Sequence, residues 1–374
     1  MGNYIIYNED VISGLTQIPD ESVQCVVTSP PYWRLRDYGT AAWVGGDSTC
    51  NHYRDNKISN QCLTGEKNVE GGIGDAIYKD MCKKCGAKRI DQQLGLEKTP
   101  EEYVLEMVKV FREVKRVLKK DGTLWLNLGD TYSSSNESTI KSGNLIKPKD
   151  LVGIPWSVAF ALRTDGWYLR SDIIYHKINP KPESVKDRPS QSYEHIFLLT
   201  KNAKYYFDYK SIQQEPSESY KKDKRLPGIL RQRFYKNSKY LKEEYGSKEF
   251  KNLNIPGQKP NTMHLLRAKG QKDQYYEKVN CKDVWSIKTN NFKGAHFATF
   301  PPEIPVRCIK AGTHKGDTVL DPFAGSGTTG EVALCLERNF IGIELNTRYV
   351  KELIIPRLEN IYPLFKNKII GVLS

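Results

Sequence analysis

Three groups of residues in this 374-residue chain have types and spacings that can do chemistry. One is Gly325-Ser326-Gly327-Thr328-Thr329-Gly330, directly after the β-rich run Asp317–Phe323. Its glycines fit G-x-G-x-x-G: a tight turn, close approach of backbone to a ligand, and close helix packing. Glu344 ends the next β-rich run, 23 residues after Asp321, where a carboxylate can hold two ribose hydroxyls. By itself this pattern also fits a dinucleotide fold. Another group is Cys50-Asn51-His52 with Cys82-Lys83-Lys84-Cys85-Gly86. Cys-x-x-Cys followed by Gly makes a turn on which two thiolates can bind one metal. The interval 53–81 is polar and glycine-rich, so a bound metal would supply its folding energy. A closed four-ligand structural zinc site is therefore expected at Cys50, His52, Cys82 and Cys85, with Cys62 a spare ligand; an exposed reduced loop or a redox pair is the alternative. The last group is Thr28-Ser29-Pro30-Pro31-Tyr32-Trp33, after the β-rich run 22–28. Taken alone it reads as a proline-rich turn after a strand.

Asp321-Pro322-Phe323-Ala324-Gly325-Ser326-Gly327-Thr328-Thr329-Gly330 resembles the cofactor loop of S-adenosylmethionine-dependent DNA amino-methyltransferases. Ser29-Pro30-Pro31-Tyr32 resembles that family's other signature, and the chemistry explains its residue types. An exocyclic amino nitrogen is a poor nucleophile because its lone pair is delocalised into the ring. Accepting hydrogen bonds from both N–H groups frees that pair. Ser29 Oγ can accept one and the Pro30 carbonyl the other, with Pro30-Pro31 fixing the carbonyl's direction. Tyr32 offers a π face to a base that has left the duplex stack. The methyl donor is a sulfonium, so in-line positioning matters more than acid–base help. No Pro-Cys dipeptide occurs, so the covalent cysteine of cytosine-C5 enzymes has no candidate.

The catalytic motif lies near the N-terminus and the cofactor loop near the C-terminus, the order of the β class of this family. The resemblance implies that Asp10 contacts the cofactor's adenosine, and that the segment containing His296 wraps its methionine end. It also implies cofactor contacts from Asp321, Pro322, Phe323, Gly325, Ser326, Gly327, Thr328, Glu344 and Asn346. Ser in the catalytic motif is the cytosine-N4 form, whereas Asp or Asn is more usual for adenine N6. The expected activity is N4-cytosine methylation of double-stranded DNA with base flipping; N6-adenine methylation by the same site is the alternative. The same catalysis on RNA or a glutamine amide is a near rival too, and rivals of other classes are a nicotinamide-dependent oxidoreductase and a non-enzymatic zinc-containing DNA-binding protein. A cognate restriction endonuclease is a partner the family admits, and monomer and homodimer both stay open.

The elements that must position these groups alternate between strand and helix, which argues for a Rossmann-like, mostly parallel α/β sheet of the class I methyltransferase type. Strands are expected at 22–28, 122–130, 171–176, 195–200, 317–323 and 339–345. Thr99-Pro100-Glu101-Glu102 opens a helix whose apolar spacing runs on to Asp121-Gly122, and further helices are expected at 155–164 and 328–336. Expected domains are a catalytic part, 1–204, carrying the zinc insertion at about 45–95; a target-recognition region, 205–285; and a cofactor-binding part, 286–374. Between Pro216 and Ile255 eleven Lys/Arg face five Asp/Glu, and Lys221, Lys222, Arg225, Arg231 and Arg233 interleave with Tyr220, Phe234 and Tyr235, a composition suited to DNA phosphates and base edges. The net charge of +13 fits an anionic partner. No run approaches the ~20 apolar residues of a membrane span, so a cytoplasmic protein is expected.

Overall fold

In the computed structural model the described residues are 2–34, 40–52, 80–91, 93–133, 146–218, 278–289 and 301–361, with the backbone of 368–371. The main unit takes in residues 1–208 and 283–374, and a second unit takes in Tyr209–Lys282. In the second unit the described residues form a 3-10 turn, Tyr209–Ile212, and an isolated bridge between Gln214 and Val279. The basic aromatic stretch 220–240 and His296 lie outside the described residues.

The main unit is built on a nine-stranded sheet in the order β11-β1-β10-β9-β2-β5-β7-β6-β8. Its strands are β1 (Tyr4–Asn8), β2 (Val23–Thr28), β5 (Leu118–Leu128), β6 (Tyr168–Lys177), β7 (Tyr193–Thr200), β8 (Val284–Ile287), β9 (Thr318–Asp321), β10 (Asn339–Ile343) and β11 (Lys368–Gly371). β7 is antiparallel to both of its neighbours, and every other pairing in this sheet is parallel. β2 is buried at all six positions, as a strand covered on both faces must be. Alternation divides its side chains between two helical layers. Val26 joins the core containing Leu124, Phe111 and Val158, from the layer of α1 (Val11–Thr16), α2 (Pro100–Val117) and α3 (Ile154–Thr164). Cys25 faces the other layer, where a Cβ on Gly312 of α4 (Glu303–Gly312) would lie 3.1 Å from its Sγ. α5 (Thr328–Cys335) packs beside α4, on α7 (Ile355–Ile361), which follows α6 (Thr347–Tyr349) and a π-helical turn, Val350–Ile354. No helix among the described residues is long and apolar enough to cross a membrane.

α2 begins as its sequence demands. Thr99 accepts from the Glu102 backbone N–H, the Glu102 carboxylate accepts from the Thr99 N–H, and Pro100 follows the cap. Its far end corrects the sequence reading. The helix stops at Val117, and Leu118 is already extended (φ −72, ψ 134) as the first residue of β5. Leu118 is completely buried and pairs with Val23, so sheet pairing and burial prevail over a helical apolar spacing that includes Leu118. The remaining predicted strands and helices form within a few residues of their expected ends. Leu345 and Phe323 lie just beyond β10 and β9, as loop residues. A small antiparallel pair, β3 (Ala42–Val44) and β4 (Lys88–Ile90), stands apart from the main sheet.

Candidate active site at the strand ends

The carboxyl ends of β1, β2, β9 and β10 open into one cavity of about 580 Å³, where ligands bind in open α/β sheets. Its wall includes Asp10 after β1, Ser29 and Pro31 after β2, Asp321–Ser326 and Thr328 from the glycine loop, and Glu344 after β10. The three loop glycines have separate physical reasons. Gly325 and Gly327 have φ of 54° and 78°, the left-handed region, and Gly327 caps α5. Gly330 lies so close to Phe340 that a Cβ would sit 2.5 Å from its ring.

Two carboxylates hold this loop. Asp321 is buried, and its Oδ1 accepts from Thr28 Oγ1 (2.7 Å) and the Phe323 N–H (3.1 Å) while its Oδ2 accepts from Thr329 Oγ1 (2.7 Å). The Thr28 bond ties the catalytic strand to the glycine loop. Burial raises the Asp321 carboxyl to about 6, against the pull of these donors. Glu344 accepts from the Gly325 N–H (2.8 Å) and the Asn346 N–H (2.8 Å), and burial, with a smaller contribution from the Asp321 charge, raises it to about 7. Asp10 Oδ1 caps α1, accepting from the Ile12 N–H at 3.0 Å.

Ser29 sits in a network that local sequence does not announce. Its hydroxyl donates to Tyr32 Oη (3.2 Å), and Tyr32 donates to Glu194 Oε2 (2.8 Å). Asn127 Nδ2 lies within hydrogen-bond distance of Ser29 Oγ (3.3 Å), Tyr32 Oη (2.9 Å) and Glu194 Oε2 (2.8 Å), and Lys177 Nζ donates to Glu194 Oε1 at 2.5 Å. Burial first, then the Glu194 charge, holds the Tyr32 phenol well above its ordinary pKa, so it remains a donor. Pro30 is buried, and the Pro31 carbonyl accepts from Tyr103 Oη at 2.9 Å.

Most of the predicted catalytic and cofactor residues among the described ones therefore line one cavity, and four do not: Gly327, whose place is to cap α5, and Pro30, Tyr32 and Asn346. Tyr32 and Pro30 lie in the loop but outside the cavity wall; the Tyr32 ring packs on Gly129, where a Cβ would come within 2.6 Å. Asn346 also lies off the wall, and its side chain caps α6 through the Arg348 and Tyr349 N–H groups.

The DNA methylase family (N6_N4_Mtase) matches residues 23–355. This chain is a member of that family. It is 35% identical to the Type II methyltransferase M.Cfr9I of Citrobacter freundii over 369 residues, 95% of this chain and 87% of that one. It is 36% identical to the Type II methyltransferase M.XycI of Xanthomonas campestris pv. cyanopsidis, over 92% of this chain and 84% of that one. The fold matches a Thermus thermophilus protein crystallised with S-adenosyl-L-methionine (TM-score 0.51, 20% identity, 99% of each chain). It also matches PvuII DNA methyltransferase, described as cytosine-N4-specific (TM-score 0.51, 15% identity, 100% and 96% coverage).

Sequence reasoning missed several residues of this DNA methylase. Asn127 carried one local signal, an amide in the apolar run 124–128, where it is 3% exposed. Glu194 and Lys177 carried none. Arg357 of α7 donates through its NH1 to Ser326 O (2.8 Å) and Thr328 Oγ1 (2.9 Å), bracing the glycine loop from 29 and 31 residues away.

Proposed function

We propose that this DNA methylase transfers a methyl group from S-adenosylmethionine to N4 of cytosine in double-stranded DNA, as the modification partner of a cognate restriction endonuclease. The observation that carries the reading is that Ser29 opens onto the same cavity as Glu344 and the glycine loop. The residues fit the cofactor. Glu344 offers a carboxylate to ribose hydroxyls, Asp10 stands on the wall beside it, and the loop lets a ligand reach bare backbone. The bound cofactor supplies an electrophilic methyl group on a sulfonium.

The protein's own share is orientation. The Ser29 hydroxyl hydrogen is committed to Tyr32, and the Tyr32 hydrogen to Glu194. This directionality leaves Ser29 Oγ as an acceptor toward a base amino N–H. As the amino nitrogen gains its methyl group it must lose a proton. Ser29 Oγ can take that proton while passing its own to Tyr32 and Tyr32's to Glu194, so that the proton ends on Glu194, which becomes a neutral acid beside Lys177. The base must leave the stack to reach this loop. Support for cytosine over adenine is Ser29 itself, where an adenine-N6 site more usually has Asp or Asn. The relatives named Type II methyltransferases support a restriction–modification setting.

The test is transfer of labelled methyl from S-adenosylmethionine to unmethylated duplex DNA, single-stranded DNA and RNA. Label in duplex DNA is expected, with little in RNA. Label confined to RNA, or to protein amides, overturns the proposal.

A further inference from the structure

We propose that Cys50, His52, Cys82 and Cys85 hold one tetrahedral Zn(II) ion, and that this ion clasps the β3–β4 arm whose two flanks wall the cofactor cavity. The four ligand atoms all lie within 4.8 Å of one another. Cys50 Sγ is 3.8 Å from Cys82 Sγ, and Cys85 Sγ is 3.6 Å from His52 Nδ1. A tetrahedral zinc ion with Zn–S of about 2.3 Å and Zn–N of about 2.0–2.1 Å requires edges of about 3.8 Å and about 3.6 Å for these two pairs. Two of the six edges thus match a zinc coordination shell, and the other four lie within 4.8 Å. Three thiolates and one imidazole also suit zinc better than magnesium or calcium, which take oxygen ligands.

The backbone around the cluster is shaped for the same end. The Gly86 N–H donates to the Cys82 carbonyl (2.8 Å), the Cys82 N–H donates to the Ala87 carbonyl (2.8 Å), and Gly86 is left-handed (φ 76°), so two cysteines are turned to one side. Gly46 fits under this turn, where a Cβ would lie 2.8 Å from both Cys85 O and Ala87 N. On the other half, the Cys50 N–H donates to Asp47 O in a tight turn. His52 holds a left-handed φ of 56°, rare outside glycine, and its ring stacks on Trp43 with centroids 4.2 Å apart. That stack directs Nδ1 at Cys85.

The sheet of the arm is small. β3 and β4 have three residues each, and Val44 and Ile90 are exposed. A two-stranded pair of this size is marginal in water without a core. Metal binding would expel the three thiol protons to solvent, take His52 in its neutral form, and supply the missing folding energy.

The place of the arm gives the ion a purpose. Thr40, ahead of β3, donates to Asp91, just after β4, at 3.1 Å. Thr40, Asp91, Gln93, Leu94 and Glu97 all stand on the cavity wall. The same segment grips the catalytic loop: Trp33 Nε1 donates to Glu97 O (3.0 Å), and the Arg34 N–H donates to Gly95 O (2.8 Å). Loss of the ion should therefore loosen one side of the cofactor cavity. This second half rests on the function proposed above; the metal site itself does not.

The experiment begins with elemental analysis of the full-length protein purified without metal-affinity steps, with one zinc per chain expected. Replacement by Co(II) should give a thiolate-to-cobalt charge-transfer band and intense tetrahedral d–d bands. Cys82→Ser and His52→Ala should each lose the metal, while Cys335→Ser, at an exposed thiol remote from the cluster, should keep it. Chelator-treated protein should bind S-adenosylhomocysteine about tenfold more weakly, with recovery on adding Zn(II) alone. Protein as purified with less than a tenth of a zinc per chain, an octahedral cobalt spectrum, or a Cys50–Cys82 disulfide in the peptide masses would overturn the site. Stoichiometric zinc with unchanged S-adenosylhomocysteine affinity after removal would overturn the clasp and leave the site. Full zinc without any methyl transfer would count against the proposed function alone.

Discussion

The two walls of the cavity are held together in opposite ways. On the C-terminal wall most bonds to the two carboxylate side chains are local: Phe323 and Thr329 donate to Asp321, and Gly325 and Asn346 donate to Glu344, over spans of 2 to 19 residues. On the catalytic wall they are remote: Tyr32 to Glu194 spans 162 residues, Asn127 to Tyr32 spans 95, and Tyr103 to Pro31 spans 72. One wall is largely organised by a strand–turn–helix–strand unit, and the other exists only once β2, β5, β6 and β7 are paired. Thr28 to Asp321 at 2.7 Å, and Thr329 to the Val27 carbonyl at 3.4 Å, are direct hydrogen bonds joining them. The difference implies a division of labour. Changes on the C-terminal wall should alter cofactor binding and stability, whereas changes on the catalytic wall should alter turnover with binding retained.

The largest effect expected is from Ser29→Ala. Removing a preorganised polar group aimed at the reacting nitrogen should lower kcat on the order of 10³-fold, about 4 kcal/mol, with S-adenosylhomocysteine affinity unchanged. Equal losses in kcat and affinity would erase the division between the walls. Glu194→Gln comes next. It keeps the shape but removes the charge that Tyr32 and Lys177 address, and kcat should fall on the order of 10²-fold in single-turnover assays. Unchanged turnover would make Glu194 a structural residue only.

Gly330→Ala sharpens the comparison from the other side. Its Cβ would lie 2.5 Å from the Phe340 ring, an overpacking that should cost about 2 kcal/mol and lower Tm by several degrees. The smallest effect is a pH dependence. Burial raises the Glu344 carboxyl to about 7, and on the proposed reading ribose hydroxyls would donate to its ionised form. S-adenosylhomocysteine affinity should therefore fall by up to about tenfold per pH unit below 7, and Glu344→Gln should flatten that slope while weakening binding. The free protein should respond in the opposite sense. A carboxyl raised above its unfolded value contributes stability that is present below about 4.5 and lost as pH rises through about 7. Calorimetric titration and thermal melts across pH 5–8 would separate the two.

What could be read from the sequence follows the same division. The glycine loop, Glu344 and the capping box of α2 are local patterns whose geometry is set within a few residues, so spacing alone located them. Ser29 and Pro30 stood out through the resemblance of their motif to a family signature, since the run alone reads as a proline-rich turn. The motif did not reveal what orients them, because Asn127, Glu194 and Lys177 become neighbours of Ser29 only through strand pairing. Arg357 escaped notice similarly, as a cation in a C-terminal helix with no motif around it. The reading of α2 failed at Leu118 because an apolar residue at a helical interval is also an apolar residue beside β2, and only the paired sheet decides between them. Tyr32 was expected as a flat platform for a base. In this structure its hydroxyl is the middle of a three-residue line and its ring rests on Gly129.

The most direct measurement is the identity of the methylated base. The purified protein would be incubated with S-adenosylmethionine and unmethylated genomic DNA, and the DNA digested to nucleosides and analysed by mass spectrometry. N4-methylcytosine, absent with Ser29→Ala, is the expected result. N6-methyladenine would keep the cavity and cofactor but contradict Ser29 as the mark of a cytosine site, and no methylated base at all would contradict the assignment of this cavity to DNA methylation.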